Sequence, residues 1–541
     1  MNFNFGRVRL LPETRLHRTP LFDVAMIGHL EQVADLDYFF NNPAMLADIR
    51  MAGYGDLLDL LQASYSHYKI ELDQFQRANK KDSADVENAG QQPEIPRAFS
   101  LQGLPIPLRS QEEFQQLFPL RDAAPAAASF ISRLGGNYFW LPLAIADFFQ
   151  AQVLQLPRRL WIIVVPQSLG VDAFMTPDAA VAPGSNALID AELKNKSSSQ
   201  QLEELLARQP ALLRALDLPN LGLLCLPDFE RLHISPSLTH IPRLRIANPL
   251  PAFLPCSSNT DDGVLETGAI DAEAPDASAF FVAHLQRLLQ VIARFRRDVN
   301  LLLAFPFDMN RNAEVPRHSL LAVEQLQQWQ KNGDAKLLRH VQLIFPYLQD
   351  SRGNLSSPCA LLAGQTLATS TRRGEWRSVA GVALPTLKRT FPSISLKLCA
   401  QLRETPGLAV LREENASLVL DDERIAVPYI ADQPSTNSGE LARFIGGLQR
   451  ALENLGLNLV FENQFAIDQS EILLRDFFTR LHVLGALRGS RPEDAFSLRR
   501  HTDVEGQVVF EIEIAPAIAL DSIQVDLRSH QNNLQMEVRN G

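Results

Sequence analysis

Five short stretches of this chain bring together residue types that can do chemistry. In NLVFENQ, Asn458 to Gln464, a hydrophobic run ends on Glu462, Asn463 and Gln464. A carboxylate beside two amides suits a general acid, a metal ligand or a turn. In HISPSLTHIPR, His233 and His240 are the nearest approach to a metal pair, yet Pro236 and Pro242 break any helix that would bring them together. His318 stands beside Ser319, but adjacent residues on a helix face different directions and nucleophile–base sets are assembled from distant segments, so the serine reads as a helix start. Asp421, Asp422 and Glu423 suit a cation, or a solvated hairpin tip between SLVL and RIAVPYI. Arg372 and Arg373 in STRRGEW suit a phosphate or an acidic neighbour.

None of these belongs to a complete motif. The chain holds no GxSxG elbow, no GxxxxGK[ST] phosphate loop, no GxGxxG after a strand and no HExxH. Cys225, Cys256, Cys359 and Cys399 stand far apart, without CxxC or a histidine at ligand spacing, which predicts reduced thiols. The expectation is a chain with no catalytic residue, no cofactor and no metal. A net charge of −11 disfavours a nucleic-acid partner, since phosphate binding needs a concentrated basic surface. Apolar runs such as Leu301 to Pro306 fall far short of a bilayer span. The opening MNFNFGRVRLLPETRLHR lacks the apolar centre and cleavage site of a secretory signal, so assembly is expected in the cytoplasm.

The elements that must position such residues divide by texture. FNFGRVRL alternates and reads as a free terminal strand. Apolar residues from Gln32 to Gln76 fall at helical spacing, and ANKKDSADVENAGQQPEIPR turns polar as a linker. From Leu104 the pattern changes. PIPL starts a strand, Ser110 with Glu113 marks a helix N-terminus, YFWLPLAIADFFQAQVLQL reads as a buried helix and RLWIIVVP as a central strand. Apolar strands recur at LGLLCLP, NLLLAFP and VQLIFPYL, separated by helices such as Phe281 to Phe295. Such alternation predicts an α/β sheet covered on both faces, with residues 254–279 as an exposed excursion. Near the carboxyl end, two helices flank the strand LNLVF, the second opened by Asp468 and Glu471 as a capping box. VVFEIEIAP, SIQVDL and NLQMEV then alternate apolar and polar residues, which predicts a compact α+β unit with a strand to spare.

Four pieces in order carry a family resemblance: GELARFIGGLQRALENLG, LVFENQ, EILLRDFFTRLHVLGALRGSRPEDAFSLRR and VVFEIEIAPAIALDSIQVDL. Together they resemble the carboxy-terminal domain of contractile tail sheath proteins of contractile-tailed phages and related injection particles. Tyr347 to Gly381 resembles that family's Ala-Gly helix followed by a basic-Gly-aromatic step, and the resemblance spans Leu104 to Leu527 with gaps. The Pro-Gly-Val-Tyr-like opening arm is missing, residues 32–97 have no counterpart, and LSSPC replaces a proline-rich turn. Main sheath subunit and specialised terminal or adaptor component both remain open, as does, from another class, a cytosolic α/β enzyme with an unrecognised site.

The resemblance implies an arm and first strand at 1–30, a helical insertion and linker at 31–103, an α/β core at 104–430, a carboxy-terminal sheath domain at 431–530 and an arm at 531–541. It implies stacked, sixfold rings of this chain around an inner tube, with baseplate and terminal cap partners and no membrane insertion. Within it, NLVFENQ is an inner strand and turn. Arg443, Arg450, Arg475 and Arg480 become candidates for the tube-facing surface. Phe3, Phe5 and Val8 at one end, and Leu534, Met536 and Val538 at the other, become candidates for arms that add a strand to a neighbour.

Overall fold

The computed structural model describes residues 22–30, 33–81, 101–119, 139–151, 159–175, 209–234, 277–310, 315–351, 354–427 apart from 405 and 416, 437–460, 466–502, 508–517, 523–530 and 533–540. A nine-stranded mixed sheet forms its centre. The strands are β1 (Asp23–Gly28), β2 (Pro105–Leu108), β3 (Leu160–Val164), β4 (Leu221–Cys225), β5 (Asn300–Ala304), β6 (Val341–Phe345), β7 (Ala383–Leu384), β8 (Ala409–Glu414) and β9 (Ser417–Leu420). Their order is β7-β9-β8-β6-β5-β4-β1-β3-β2. The six strands from β8 to β3 run parallel, with β2 antiparallel at one edge; at the other, β9 is antiparallel to β8 and β7 antiparallel to β9. Strands β1, β3, β4, β5 and β6 are buried almost throughout, as the continuous apolar runs require of a sheet covered on both faces.

The covering helices include α1 (Gly55–Lys81), α2 (Leu141–Gln150), α3 (Pro227–Leu232), α4 (Phe281–Phe295) and α5 (Cys359–Arg373). Helix α4 buries Phe281, Leu285, Leu288, Leu289 and Ile292 along one stripe, the three-and-four spacing visible in its sequence. Ser110 accepts from the Glu113 amide at 3.2 Å and caps the helix Gln111–Leu117. Helix α5 packs closely on α2 because residue 364 is glycine: a Cβ there would stand 2.4 Å from the Phe148 carbonyl oxygen.

Several expectations change. FNFGRVRL, with Phe3, Phe5 and Val8, lies outside the described residues, and the first described strand is DVAMIG. Its place between β3 and β4 puts residues ahead of the 31–103 region in the middle of the core sheet. Of the 254–279 excursion only the end is described, and Ser278 there is fully buried, 2.7 Å from the Ser319 hydroxyl. The partner of SLVL in its hairpin is Ala409–Glu414, not RIAVPYI.

The carboxyl end forms a unit of its own. Helices α6 (Gly439–Val460) and α7 (Ala466–Val483) accompany a four-stranded antiparallel sheet, β10 (Phe496–Thr502), β11 (Val508–Ile514), β12 (Ile523–His530) and β13 (Asn533–Asn540), in chain order. Leu441, Phe444, Leu448 and Leu452, with Leu474, Phe478, Phe510, Ile512 and Ile514, form a core separate from that of the large sheet. Of the strand expected at LNLVF, Leu457 to Val460 are instead the last turn of α6, and Phe461 lies outside the described residues. An established helix propagates at low cost through leucines. Helix α7 begins at Ala466, two residues before Asp468, so that aspartate lies inside the helix rather than at its cap.

Candidate functional site

Strands β3, β1, β4, β5 and β6 stand in the 2-1-3-4-5 order of a doubly wound sheet, whose ligand crevice opens at the carboxyl ends of β1 and β4. Titratable groups gather there. His29 follows β1, and Asp228 and Glu230 follow β4 on α3. Asp228, fully buried, accepts from the amides of His29 (2.9 Å), Trp140 (2.9 Å) and Leu141 (3.1 Å) and from Arg231 Nε (2.9 Å). Its carboxylate therefore caps the start of α2. A Cβ on Gly28 would come within 2.6 Å of Asp228 Oδ2 and 2.8 Å of Leu141 Cβ, so glycine is what lets α2 close over the crevice. His29 Nδ1 lies 3.0 Å from the Val165 carbonyl oxygen, with the rings of Phe139 and Phe174 against the imidazole. At the place where this topology would seat a ligand, Asp228 and His29 Nδ1 are engaged by the chain's own groups.

Glu230 is also fully buried and accepts from the Ala304 amide at 3.0 Å. Burial pushes its carboxyl up to about 8, against the opposing hydrogen bonds of Ser357, Ala304 and Cys359. The folded protein therefore keeps this proton well above the ordinary glutamate value of 4.5, whereas the unfolded chain releases it near that value. The stability it contributes is full below the unfolded value and drains as pH rises through the folded one, by at most about 1.4 kcal/mol per pH unit. Glu230→Gln is expected to flatten the fall of the thermal midpoint between about pH 5 and 8 relative to the parent. Parallel slopes for the two proteins would show that Glu230 is ionised in the fold.

The other candidate residues are occupied or apart. His233 Nδ1 lies 2.8 Å from the Phe229 carbonyl oxygen and its Nε2 2.8 Å from His284 Nδ1, and His240 lies outside the described residues. Ser319 caps the helix Leu320–Gln330, accepting from the Ala322 amide. Asp421 pairs with Arg403 (2.9 Å) and Arg412 (2.8 Å), and Asp422 with Arg424 (2.7 Å). Glu423 is buried, so the solvated hairpin tip expected of this triplet is replaced by an internal anchor. Arg372 and Arg373 sit exposed in the last turn of α5, where cations suit the helix dipole. Cys225, Cys359 and Cys399 are buried free thiols. Glu462, Asn463, Gln464 and Cys256 lie outside the described residues.

A constellation that the sequence reading did not assemble joins the two cores. On α6, Arg443 and Arg450 are two turns apart on one face and are 5% and 6% exposed. Arg443 pairs with Glu423 at 2.7 Å, and Glu423 also accepts from the Val379 amide. Arg450 donates to the Asp298 carbonyl at 2.8 Å and pairs with Asp298 Oδ2 at 3.3 Å and Glu375 Oε2 at 3.2 Å. Asp298 is held in turn by Arg296, whose other nitrogens reach the carbonyls of Leu216, Leu218 and Leu221. Burial raises the Asp298 carboxyl, but the hydrogen bond and charge of Arg296 and the charge of Arg450 outweigh it and hold it below the ordinary range. Burial keeps Glu375 above its ordinary value despite Arg450 and Arg443.

Local sequence makes this approach possible. Gly446 and Gly447 lie between the two arginines, where an added Cβ would stand 2.5 Å from the Asp298 carbonyl oxygen or 1.9 Å from Glu375 Oε2. Gly374, at φ +100, ends α5 and lets Trp376 fold back into the second core. Arg443 and Arg450 are thus interior ties, not surface cations, and leave the tube-facing set. Arg475 and Arg480 are exposed, each paired one turn back, with Glu471 at 3.1 Å and Asp476 at 2.6 Å.

Strand β13, which carries Leu534, Met536 and Val538, pairs over its whole length with β12 of its own chain, from His530 opposite Asn533 to Ile523 opposite Asn540. It is the outer strand of that sheet, not an arm held apart from it. At the opposite edge, β10 exposes Arg499 and Arg500, charges that guard an edge against strand addition. Among the described residues no helix is long and apolar enough to cross a membrane, and no cluster of three or more metal-ligating side chains occurs.

Neither a family model nor a curated protein sequence matches the chain. Solved structures do. The chain is similar to one from the anti-feeding prophage (AFP) baseplate in the contracted state, at 14% identity and TM-score 0.47, covering 85% of this chain and 94% of that one. It is similar to one from the sheath complex of an extracellular contractile injection system, PVC, in the contracted state, at 11% identity and TM-score 0.45, covering 77% and 83%. A third is from the AFP helical sheath in the contracted state, at 15% identity and TM-score 0.44, covering 78% and 87%.

Proposed function

We propose that this chain is a structural subunit of the contractile sheath of a phage-tail-like injection machine, polymerising around an inner tube and contracting to drive it through a target envelope. The observation that carries the reading is the ordered run of four sheath-like pieces between Gly439 and Leu527. Within it, helices α6 and α7 and strands β10 and β11 share one core, joined to the large sheet by buried ion pairs. The engagement of Asp228, Glu230 Oε1 and His29 Nδ1 by the chain's own groups supports a non-enzymatic role. In such a machine the extended polymer is metastable, and a few kcal/mol per subunit gained on repacking, summed over many rings, suffices to move a tube. Assembly would take place in the cytoplasm before the particle is released, with baseplate and cap proteins at the ends.

A specialised paralogue or terminal adaptor is the second reading. Helix α1 favours it: 27 residues long, it lies in the 32–97 stretch for which the sequence resemblance offers no counterpart. Negative-stain microscopy of the purified protein, alone and with a tube protein, tests the class. Rings or tubes are expected, and a strictly monomeric protein that turns over a small molecule would end the reading. Arg475 and Arg480 remain the tube-facing candidates. Reversing both to Glu is expected to weaken co-sedimentation with the tube several-fold while leaving the thermal midpoint within about 2 °C, since exposed pairs contribute only ~0.5 kcal/mol each. Unchanged co-sedimentation would remove them.

A further inference from the structure

A cationic strip crosses the outer face of α4 and the 3-10 helical segment Gly333–His340. Arg287 and Arg294 are two turns apart on α4, about 10 Å along its axis, and Arg297 follows just past its end. The 3-10 segment packs against α4. In such a helix residues i and i+3 eclipse, so Lys336 and Arg339 stand in line. All five side chains are exposed.

Among the described residues no carboxylate pairs with any of the five. Asp298, the acid closest in sequence, is buried and engaged by Arg296 and Arg450. Arg297 reaches only the Ala293 carbonyl, at 3.4 Å, and Arg294 lies over the Phe295 ring. Arg297 and Arg339 bear on one another: desolvation first, then the Arg297 charge, holds Arg339 below its ordinary value. Like charges with no described carboxylate between them repel and are relieved by an acidic partner.

We propose that this strip docks on an acidic surface of a second copy of this chain, an inference that rests on the self-assembling reading above. The rest of the chain carries the complementary sign. The net charge of the whole chain is −11, so with the five strip cations set aside the remainder carries −16. Because the strip and its acidic target are different patches, the contact is heterologous and repeats head to tail, closing into a ring or running on as a helix.

The test compares the parent with the triple variant Arg294→Glu, Arg297→Glu, Arg339→Glu by sedimentation and negative stain, from low to high NaCl. The parent is expected to assemble more weakly as salt rises. The variant is expected to keep its thermal transition but to need about tenfold more protein to assemble, and the corresponding triple lysine variant to assemble as the parent does. A glutamate variant that assembles normally overturns the strip and leaves the subunit reading standing. A parent that stays monomeric at every salt overturns both. Binding of a single-stranded oligonucleotide that the glutamate variant loses while assembly is unchanged would assign the strip to nucleic acid and overturn the proposal.

Discussion

Replacing Arg450 with methionine is expected to cost the folded protein about 3–5 kcal/mol, because it leaves buried charge without its partner. Asp298 keeps Arg296, but Glu375, 5% exposed, loses the guanidinium 3.2 Å away. Removing the second charge should recover part of the loss. The double variant Arg450→Met, Glu375→Gln is expected to be more stable than the single one, since an absent ion pair costs less than half of one. Gly447→Ala attacks the same contact by volume, placing a methyl where Glu375 Oε2 now lies 1.9 Å from the ideal Cβ position. Urea unfolding with limited proteolysis of the joint checks all three. A loss below about 1 kcal/mol for Arg450→Met would mean that water reaches the ion pair.

The sequence made the strands of the large sheet visible where they are long and apolar, as at Leu221–Cys225 and Val341–Phe345, and their burial on both faces followed from that continuity. Strand β1 escaped because DVAMIG opens on an aspartate and carries alanine and methionine in place of a β-branched run. Asp23 is tolerated there because it accepts from Trp161 Nε1 at 3.0 Å, a pairing across 138 positions of sequence that only the fold reveals. LNLVF misled in the opposite direction. Its residues suit either element, and the choice went to the helix already under way from Gly439.

The joint left one legible trace. Two adjacent glycines inside a helix cost about 1 kcal/mol each relative to alanine, and FIGGLQR has no turn to explain them. That pattern marks a helix pressed against backbone, and it would have turned Arg443 and Arg450 inward. Their acidic partners could not be read the same way, because Asp298, Glu375 and Glu423 come from three separate segments. The crevice was hidden for the same reason. Asp228 and Glu230 in PDFER look like an ordinary helix start until the order of β1 and β4 places them at a switch point.

Deleting Asn533 to Gly541 is expected to destabilise the carboxy-terminal unit itself, not merely to stop assembly. A strand that served only a neighbour would leave its own domain intact on removal, but β13 closes an eight-pair ladder with β12. At about 1 kcal/mol of net stabilisation per ladder hydrogen bond, the lost pairing is on the order of the whole stability of a small unit. The deletion also bares β12 along its length, an open edge that pairs with whatever chain it meets. The shortened protein is therefore expected to lose the unfolding transition of the second core and to aggregate, while the large sheet, with its separate core, keeps its own transition. A milder change separates pairing from presence: Gln535→Pro and Glu537→Pro together remove two backbone donors without shortening the chain. If the deleted protein instead stays soluble with both transitions intact and fails only to polymerise, β13 exchanges onto a neighbour in the assembled state, and its pairing with β12 is the resting form of that strand.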